Sequence, residues 1–462
     1  MDIVARWTGR HGLALAEAMR LPREVFARQL GISPRTMADW AKQPGTPLAL
    51  KTQELLDVVL DRASESVRRR FIELLQPSYW SGAPSIASAS VDDGLVERAA
   101  AYQGDVTGAV EMLNQLATAD LSDPFDASRS GWLRTAAPGA IAGYMFGGNS
   151  SDGASASDVQ RADSADRIRS VATHLMDLDF QLGGGVVRRM LVVYFQSEVA
   201  PLLRRTHPEG IRRDIFDAAA VVTQLLGWSA YDAGAHGAAQ GYYTQGLRLA
   251  EEANDRRLAG YLMGDLSHQA NYLGNYSEAL QFARAAQSAS NGWATATQTA
   301  AALAMEARAL ASLSERRQCI EIIRKAERTF ERRAPGDDPS WMSYFTTEEL
   351  AGEFLHCFTV LGMPREAREF SVVALGPATP ARTRVFIEMI TAQAAAMAGD
   401  LDEAIELGRG ALAHADAVAS TRCRRYVSDF RRALVDSHGT DARVRSFVGD
   451  LRRDYPSLAR AS

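Results

Sequence analysis

Five times along this chain a glycine or serine is followed, five residues on, by a small residue, and seven residues later by another. The copies are Gly234, Ala239 and Gly246; Gly274, Ala279 and Ala286; Ser314, Cys319 and Ala326; Gly362, Ala367 and Ala374; and Gly399, Ala404 and Ala411. The first position turns the chain tightly, the second lets two helices cross closely, and the third lets the next pair pack against them. The crossing residues stand 40, 40, 48 and 37 apart, longer than the usual period of ~34, so helices or connections carry extra residues. Abundant alanine, leucine and arginine and scarce β-branched runs favour helix. A shorter match, Gly104 and Ala109 in YQGDVTGAVEML, is interrupted by Leu116. Stacked pairs of this kind share one core and leave a concave face.

At 462 residues the chain exceeds what one core usually covers, so two or more domains are expected. The cysteines, Cys319, Cys357 and Cys423, have neither metal spacing nor the pattern of a disulfide framework. No leader-like basic and apolar N-terminus and no run of ~18 apolar residues stands out, so a cytoplasmic location without a membrane partner is expected. The net charge of −5 is unevenly spread. Residues 1–76 hold 12 Lys+Arg and 9 Asp+Glu, a net of +3, which leaves −8 for the remainder.

The basic end contains REVFARQLGISPRTMADWAKQ at 23–43. Ala27 suits a helix crossing, and Gly31, four residues on, a turn with positive φ. Met37 and Trp40 point inward from a second helix, with Phe26 and Leu30 completing the core. Ser33 followed by Pro34 is an N-cap followed by a proline at the first helical position. These offsets are those of a helix-turn-helix, whose second helix enters the major groove of duplex DNA. Its outward residues are Pro34, Arg35, Thr36, Ala38, Asp39 and Lys42, with Ser33 at the cap. Arg35 suits a guanine edge, and Thr36 and Lys42 suit phosphates or base edges. Asp39 either accepts from cytosine or pairs with Lys42 or Arg35. Arg23 and Arg28 reach the DNA backbone from the preceding helix.

The repeats are of tetratricopeptide type, and the fold class expected is all-α: a helix-turn-helix domain at 1–76, a linker at 77–94, a helical connector at 95–166 with a flexible insertion near 146–158, and a repeat superhelix at 167–462. Phasing the first helix of each pair on its crossing residue turns Gln224, Trp228, Asp232, Asp265, His268, Asn271, Tyr272, Arg308, Glu349, Glu353, His356 and Gln393 toward the groove. This mixture of amides, acids, histidines and aromatics suits a peptide or a small polar metabolite, with Asn271 the preferred anchor. From residue 412 the arginines, Arg422 among them, read as solvated faces of capping helices. Gly183–Gly185, after a strand-like DFQL, reads as a tight turn in preference to a phosphate loop. No H-E-x-x-H, P-loop or G-x-S-x-G occurs, so neither enzyme chemistry nor a cofactor is expected, and His268 and His356 lack partners at zinc spacing.

With these motifs in view the chain resembles the large actinobacterial regulators that join an Xre-type, phage-repressor-like helix-turn-helix to tetratricopeptide repeats. The resemblance rests on WTGR at 7–10, FARQLGISPRTMADW at 26–40, DFQLGGGVVRRMLVVYFQSEVAPLL at 179–203, LLGWSAYDAGAHGAAQGYYTQGLRLA at 225–250 and LSHQANYLG at 266–274. Ala41 after Trp40 departs from it, since such helices often carry an acidic residue there. The resemblance implies a DNA-binding homodimer controlling differentiation or secondary metabolism. It is similar more distantly, in architecture, to receptors that bind a peptide in the repeat groove. An adaptor that uses the repeats for protein contacts is the alternative.

Overall fold

Where small and apolar residues alternate at helical spacing the chain forms helices, packed in antiparallel pairs. A computed structural model describes residues 7–19, 21, 26–27, 30–42, 46, 48–63, 67, 71, 93–122, 159–334, 336–377 and 379–459. Among these residues the fold is all-α, without β-strands. The chain divides into two units, Met1–Ser88 and Ala89–Ser462.

In the first unit α1 (Gly9–Ala18), α2 (Pro34–Lys42) and α3 (Leu50–Arg62) enclose a core that includes Leu15, Phe26, Met37 and Leu56. Each such side chain contributes about 1.5–3 kcal/mol when fully buried. Phe26, Ala27 and Leu30 are helical and buried, and that helix ends at Gly31, whose φ is +67°. The Ile32 amide donates to the Ala27 carbonyl at 3.0 Å, a bond across the left-handed residue that closes the helix end. Ser33 Oγ accepts the Thr36 amide at 3.1 Å and caps α2. Trp40 packs on the bare face that Gly9 and Gly12 give α1; a Cβ on Gly12 would stand 2.5 Å from its ring. Trp7 donates its indole N–H to Asp57 at 2.6 Å and stacks on Phe71.

In the second unit α4 (Asp93–Ala100) and α5 (Val106–Ser122) pack on a later helix, His236–Glu252. Leu95, Ala99, Leu113 and Leu116 belong to the main core, so this part of the expected connector is an integral layer. Residues 77–92 of the expected linker and the insertion at 146–158 lie outside the described residues. Helix α6 runs Val159–Leu182, eight residues longer at its start than the periodicity suggests, and is followed by α7 (Gly184–Tyr194). DFQL at 179–182 is the last turn of α6 and not strand-like. Burial at Ile168, Ala172, Leu175 and Asp179 keeps helical spacing through that point.

Five pairs follow: α8 (Glu209–Asp232) with α9 (His236–Glu252), α10 (Arg256–Tyr272) with α11 (Tyr276–Ala289), α12 (Ala296–Ser312) with α13 (Arg316–Phe330), α14 (Thr347–Val360) with α15 (Pro364–Ala374), and α16 (Ala381–Ala398) with α17 (Leu401–Ala417). The crossing residues Ala239, Ala279, Cys319, Ala367 and Ala404 have no exposed surface. The turns at Gly234, Gly274, Ser314, Gly362 and Gly399 all take positive φ, Ser314 included at +61°. Helices α18 (Thr421–His438), α19 (Ala442–Asp454) and α20 (Pro456–Ala459) complete the unit.

The first and last parts of this array touch. The Ala419 amide donates to the Leu182 carbonyl at 3.0 Å, and the Gly185 amide to the Ala419 carbonyl at 3.1 Å. Gly183 and Gly185 permit this approach, since a Cβ on either would stand under 3.0 Å from the Ala419 carbonyl oxygen.

Candidate functional site

The contact between the two ends of the array encloses a cavity of about 120 Å³. Its wall comes from α6, α8, α10, α12, α14, α16 and α18, together with residues 342–345. The size is close to that of cavities of ~150 Å³ that admit a benzene-sized molecule. Met176, Leu225, Met305 and Ile390 make part of the wall apolar, and Phe180, Trp228, Tyr261 and Phe386 add ring faces.

Of the residues expected at a groove, Gln224, Trp228, Asp265, His268, Arg308, Glu349 and Glu353 line this cavity. Gln224 Nε2 donates to Asp265 Oδ2 at 2.7 Å, and burial pushes the Asp265 carboxyl up to about 8. Tyr231 Oη lies 3.0 Å from His268 Nδ1. Burial, reinforced by Arg308 and Arg422, keeps His268 well below the usual histidine range and therefore neutral at neutral pH. Arg308 donates Nη1 to Glu353 and Nη2 to the Tyr426 hydroxyl at 3.3 Å. Glu349 is pushed up to about 7 by burial and then by the neighbouring Glu353 carboxylate.

The other expected groove residues lie elsewhere. Asp232 is fully buried where the ends of the array meet, accepting the Gly184 amide at 2.9 Å and the Ser420 hydroxyl at 2.8 Å. Its position on the last turn of α8 puts it past the cavity and against the 418–422 segment. Tyr272 sits edge-on to Tyr231, with Arg425 over its ring at 4.3 Å. Asn271 is buried, His356 and Gln393 are half-buried, and none of the three is on the cavity wall. The wall stops at Trp228 on α8, His268 on α10, Glu353 on α14 and Ile390 on α16, and Asp232, Asn271, Tyr272, His356 and Gln393 all lie beyond those points toward the C-terminal ends of their helices.

Two arginine roles were not apparent from the pattern. Arg382 is buried in an ion pair with Asp179 and lies 3.7 Å from Asp232. Arg422, read as part of a solvated face, is only 4% exposed. Its guanidinium lies 4.6 Å from the ring centroids of Tyr231 and Phe386 and 5.2 Å from that of Trp228. The correction has a signal in the sequence. Cys423, Val427, Phe430 and Leu434 form the buried stripe of α18, and Arg422 and Tyr426, one turn apart, border it. The glycine amides at 184 and 185 are taken by Asp232 and Ala419, which leaves no phosphate loop there. Among the described residues no group of three or more His, Cys, Asp or Glu is arranged to hold a metal ion, and no helix is long and apolar enough to cross a membrane.

In the first unit Arg35 and Asp39 are exposed on α2, and the Thr36 hydroxyl lies 2.9 Å from the capping Ser33 hydroxyl. Arg23 and Arg28, and the side chains of Pro34, Ala38 and Lys42, lie outside the described residues. Comparison with protein-family models finds no match for the chain, and comparison with curated proteins finds none either.

Proposed function

We propose that this chain is a DNA-binding transcriptional regulator, with a helix-turn-helix in its first unit and a tetratricopeptide-type array that senses a ligand in its second. The observation that carries the reading is local: a helix closed at Gly31, a capped second helix from Pro34, and Met37 and Trp40 buried beneath exposed Arg35 and Asp39. That arrangement supports α2 as a recognition helix, with Arg35 forking a guanine edge. The buried small residues at the helix crossings support the repeat assignment, and the cavity, with polar residues set in an apolar and aromatic wall, supports a sensing role. A single recognition helix reads a half-site, so a homodimer on two half-sites about one DNA turn apart is the expected working form. A ligand changes DNA affinity when it binds two arrangements of that dimer unequally. Control of differentiation or secondary metabolism is the corresponding cellular role.

The test is selection of genomic duplex fragments by the purified full chain, followed by binding to the selected site at several salt concentrations. Arg35→Ala is expected to cost about 1–3 kcal/mol and to relax preference at one base pair. Full affinity with unchanged preference in that variant removes α2 as the reader. Failure to enrich any sequence, with binding indifferent to salt, leaves the adaptor reading in place of the regulator.

A further inference from the structure

Arg422 is held in a way that its own protein does not satisfy. Among the described residues its Nε and Nη1 have no hydrogen-bond acceptor, although the side chain is nearly fully buried. Its nearest anion is Asp232, 3.9 Å from Nη1. Both oxygens of Asp232 already accept hydrogen bonds, from Ser420 and from Gly184, and Arg382 lies nearby. Arginine is always charged in proteins, and a buried charge without hydrogen bonds costs several kcal/mol in order of magnitude. The rings of Trp228, Tyr231 and Phe386 lie 4.6–5.2 Å from the guanidinium carbon and hold its charge by cation–π contact, and Arg422 stands in the cavity wall, where an anion can pair with it.

The cavity beside it adds the rest of the specification. Of the three buried guanidiniums on the wall, Arg308 and Arg382 hydrogen-bond to carboxylates, Glu353 and Asp179, while Arg422 has Asp232 only at 3.9 Å, so Arg422 is the one an incoming carboxylate can serve. Apolar and aromatic wall surrounds it, and the volume suits a ring-sized body. A strand of peptide exceeds a cavity of about 120 Å³.

We propose that the cavity binds a small monocarboxylate with an apolar, ring-sized body, its carboxylate paired with the Arg422 guanidinium. The proposal rests on reading the cavity as the sensor site, and names the ligand class for it. Arg422 lies on α18 and the rings around it come from α8 and α16, so a bound carboxylate also strengthens the contact between the ends of the array.

The experiment uses the full chain without DNA. Benzoate, phenylacetate and 3-phenylpropionate are titrated by calorimetry and thermal unfolding beside their neutral amides and the corresponding amines. At least one acid is expected to bind at a single site and raise Tm, with its amide at least tenfold weaker. Arg422→Lys keeps a positive charge but loses the planar guanidinium and its donors, and is expected to weaken the acid tenfold or more. Gly264→Leu locates the site without touching Arg422. Gly264 lines the cavity and a Cβ there meets nothing within 4 Å, so leucine fills the space in a helix that favours it. This variant is expected to fold and to lose the acid.

The proposal is overturned if no acid binds at millimolar concentration, if amide or amine binds as well as acid, or if folded Gly264→Leu retains full affinity. Should Arg422→Lys not fold, the acid–amide comparison in the parent chain decides alone. Specific DNA binding by a chain that ignores all three acids removes this inference and leaves the regulator. An acid that binds a chain with no DNA preference does the reverse.

Discussion

Asp265 illustrates how burial changes what a carboxyl does. Gln224 donates to it, which favours the charged form, yet desolvation outweighs that bond and raises its pKa to about 8. In the unfolded chain an aspartate ionises near 3.9. Below that range both states are protonated and the group imposes no penalty. As pH rises toward 8 the folded state retains a proton that the unfolded state has lost, so stability falls, at most by about 1.4 kcal/mol per pH unit. Asp265→Asn, which mimics the protonated form and still accepts from Gln224, is therefore expected to flatten the pH dependence and to be the more stable protein at pH 8. Denaturant unfolding at several pH values checks this, and parallel curves for both proteins refute the assignment. Seven of the groove residues expected from phasing do face the cavity, because side-chain direction within a helix follows from periodicity alone. Asp232, Asn271 and Tyr272 do not, since their surroundings depend on segments far away in sequence.

The turns show how one local requirement is met by different residues. Gly274 takes φ +87° with open space around its Cβ position, and Ser314 takes φ +61° in the equivalent turn. A left-handed conformation costs a non-glycine residue about 1–2 kcal/mol. Gly274→Ala is accordingly expected to destabilise by about 1 kcal/mol and Ser314→Gly to stabilise by a smaller amount, read as opposite shifts in Tm. Shifts of the same sign remove backbone strain as the explanation. In the first unit Gly12 has a different task. Its missing Cβ makes room for Trp40, and Gly12→Ala is expected to cost about 1–3 kcal/mol by overpacking. The measurement is protection from proteolysis within the first unit; unchanged protection indicates that α1 and α2 shift apart without cost. Turn and crossing positions were legible because they depend on neighbours close in sequence. The strand-like reading of DFQL failed because four residues do not distinguish a short apolar run in a strand from the end of a long helix.

A linear stack of helix pairs has a stability set by each pair and its neighbours, and its sequence periodicity specifies no more than that. Here a long-range term is added. Asp179 and Arg382 are 203 residues apart and Asp232 and Ser420 are 188 apart, yet they meet in one buried network. Whether the ends of an array touch depends on small rotations accumulated over all the pairs, which no single motif encodes. Burial raises the Asp179 pKa while the Arg382 charge opposes the rise, so the pair relies on mutual compensation. Removing one member of such a pair costs about 3–5 kcal/mol, because the other stays buried and uncompensated, whereas replacing both is far milder. Arg382→Met is therefore expected to loosen the contact between the ends, and Asp179→Asn combined with Arg382→Met to restore much of it. Hydrogen exchange locates the effect: the Gly185 amide, which donates to Ala419, exchanges faster in the single variant and recovers in the double one. Amides within α10 and α11, a pair held by its own local packing, keep their rates in both. Loss of protection spread evenly over the array in the single variant, or no recovery in the double one, shows that the pair supports general packing and not the closure. Closure is also what makes the cavity, so the single variant tests whether the array holds a binding site only when its ends meet.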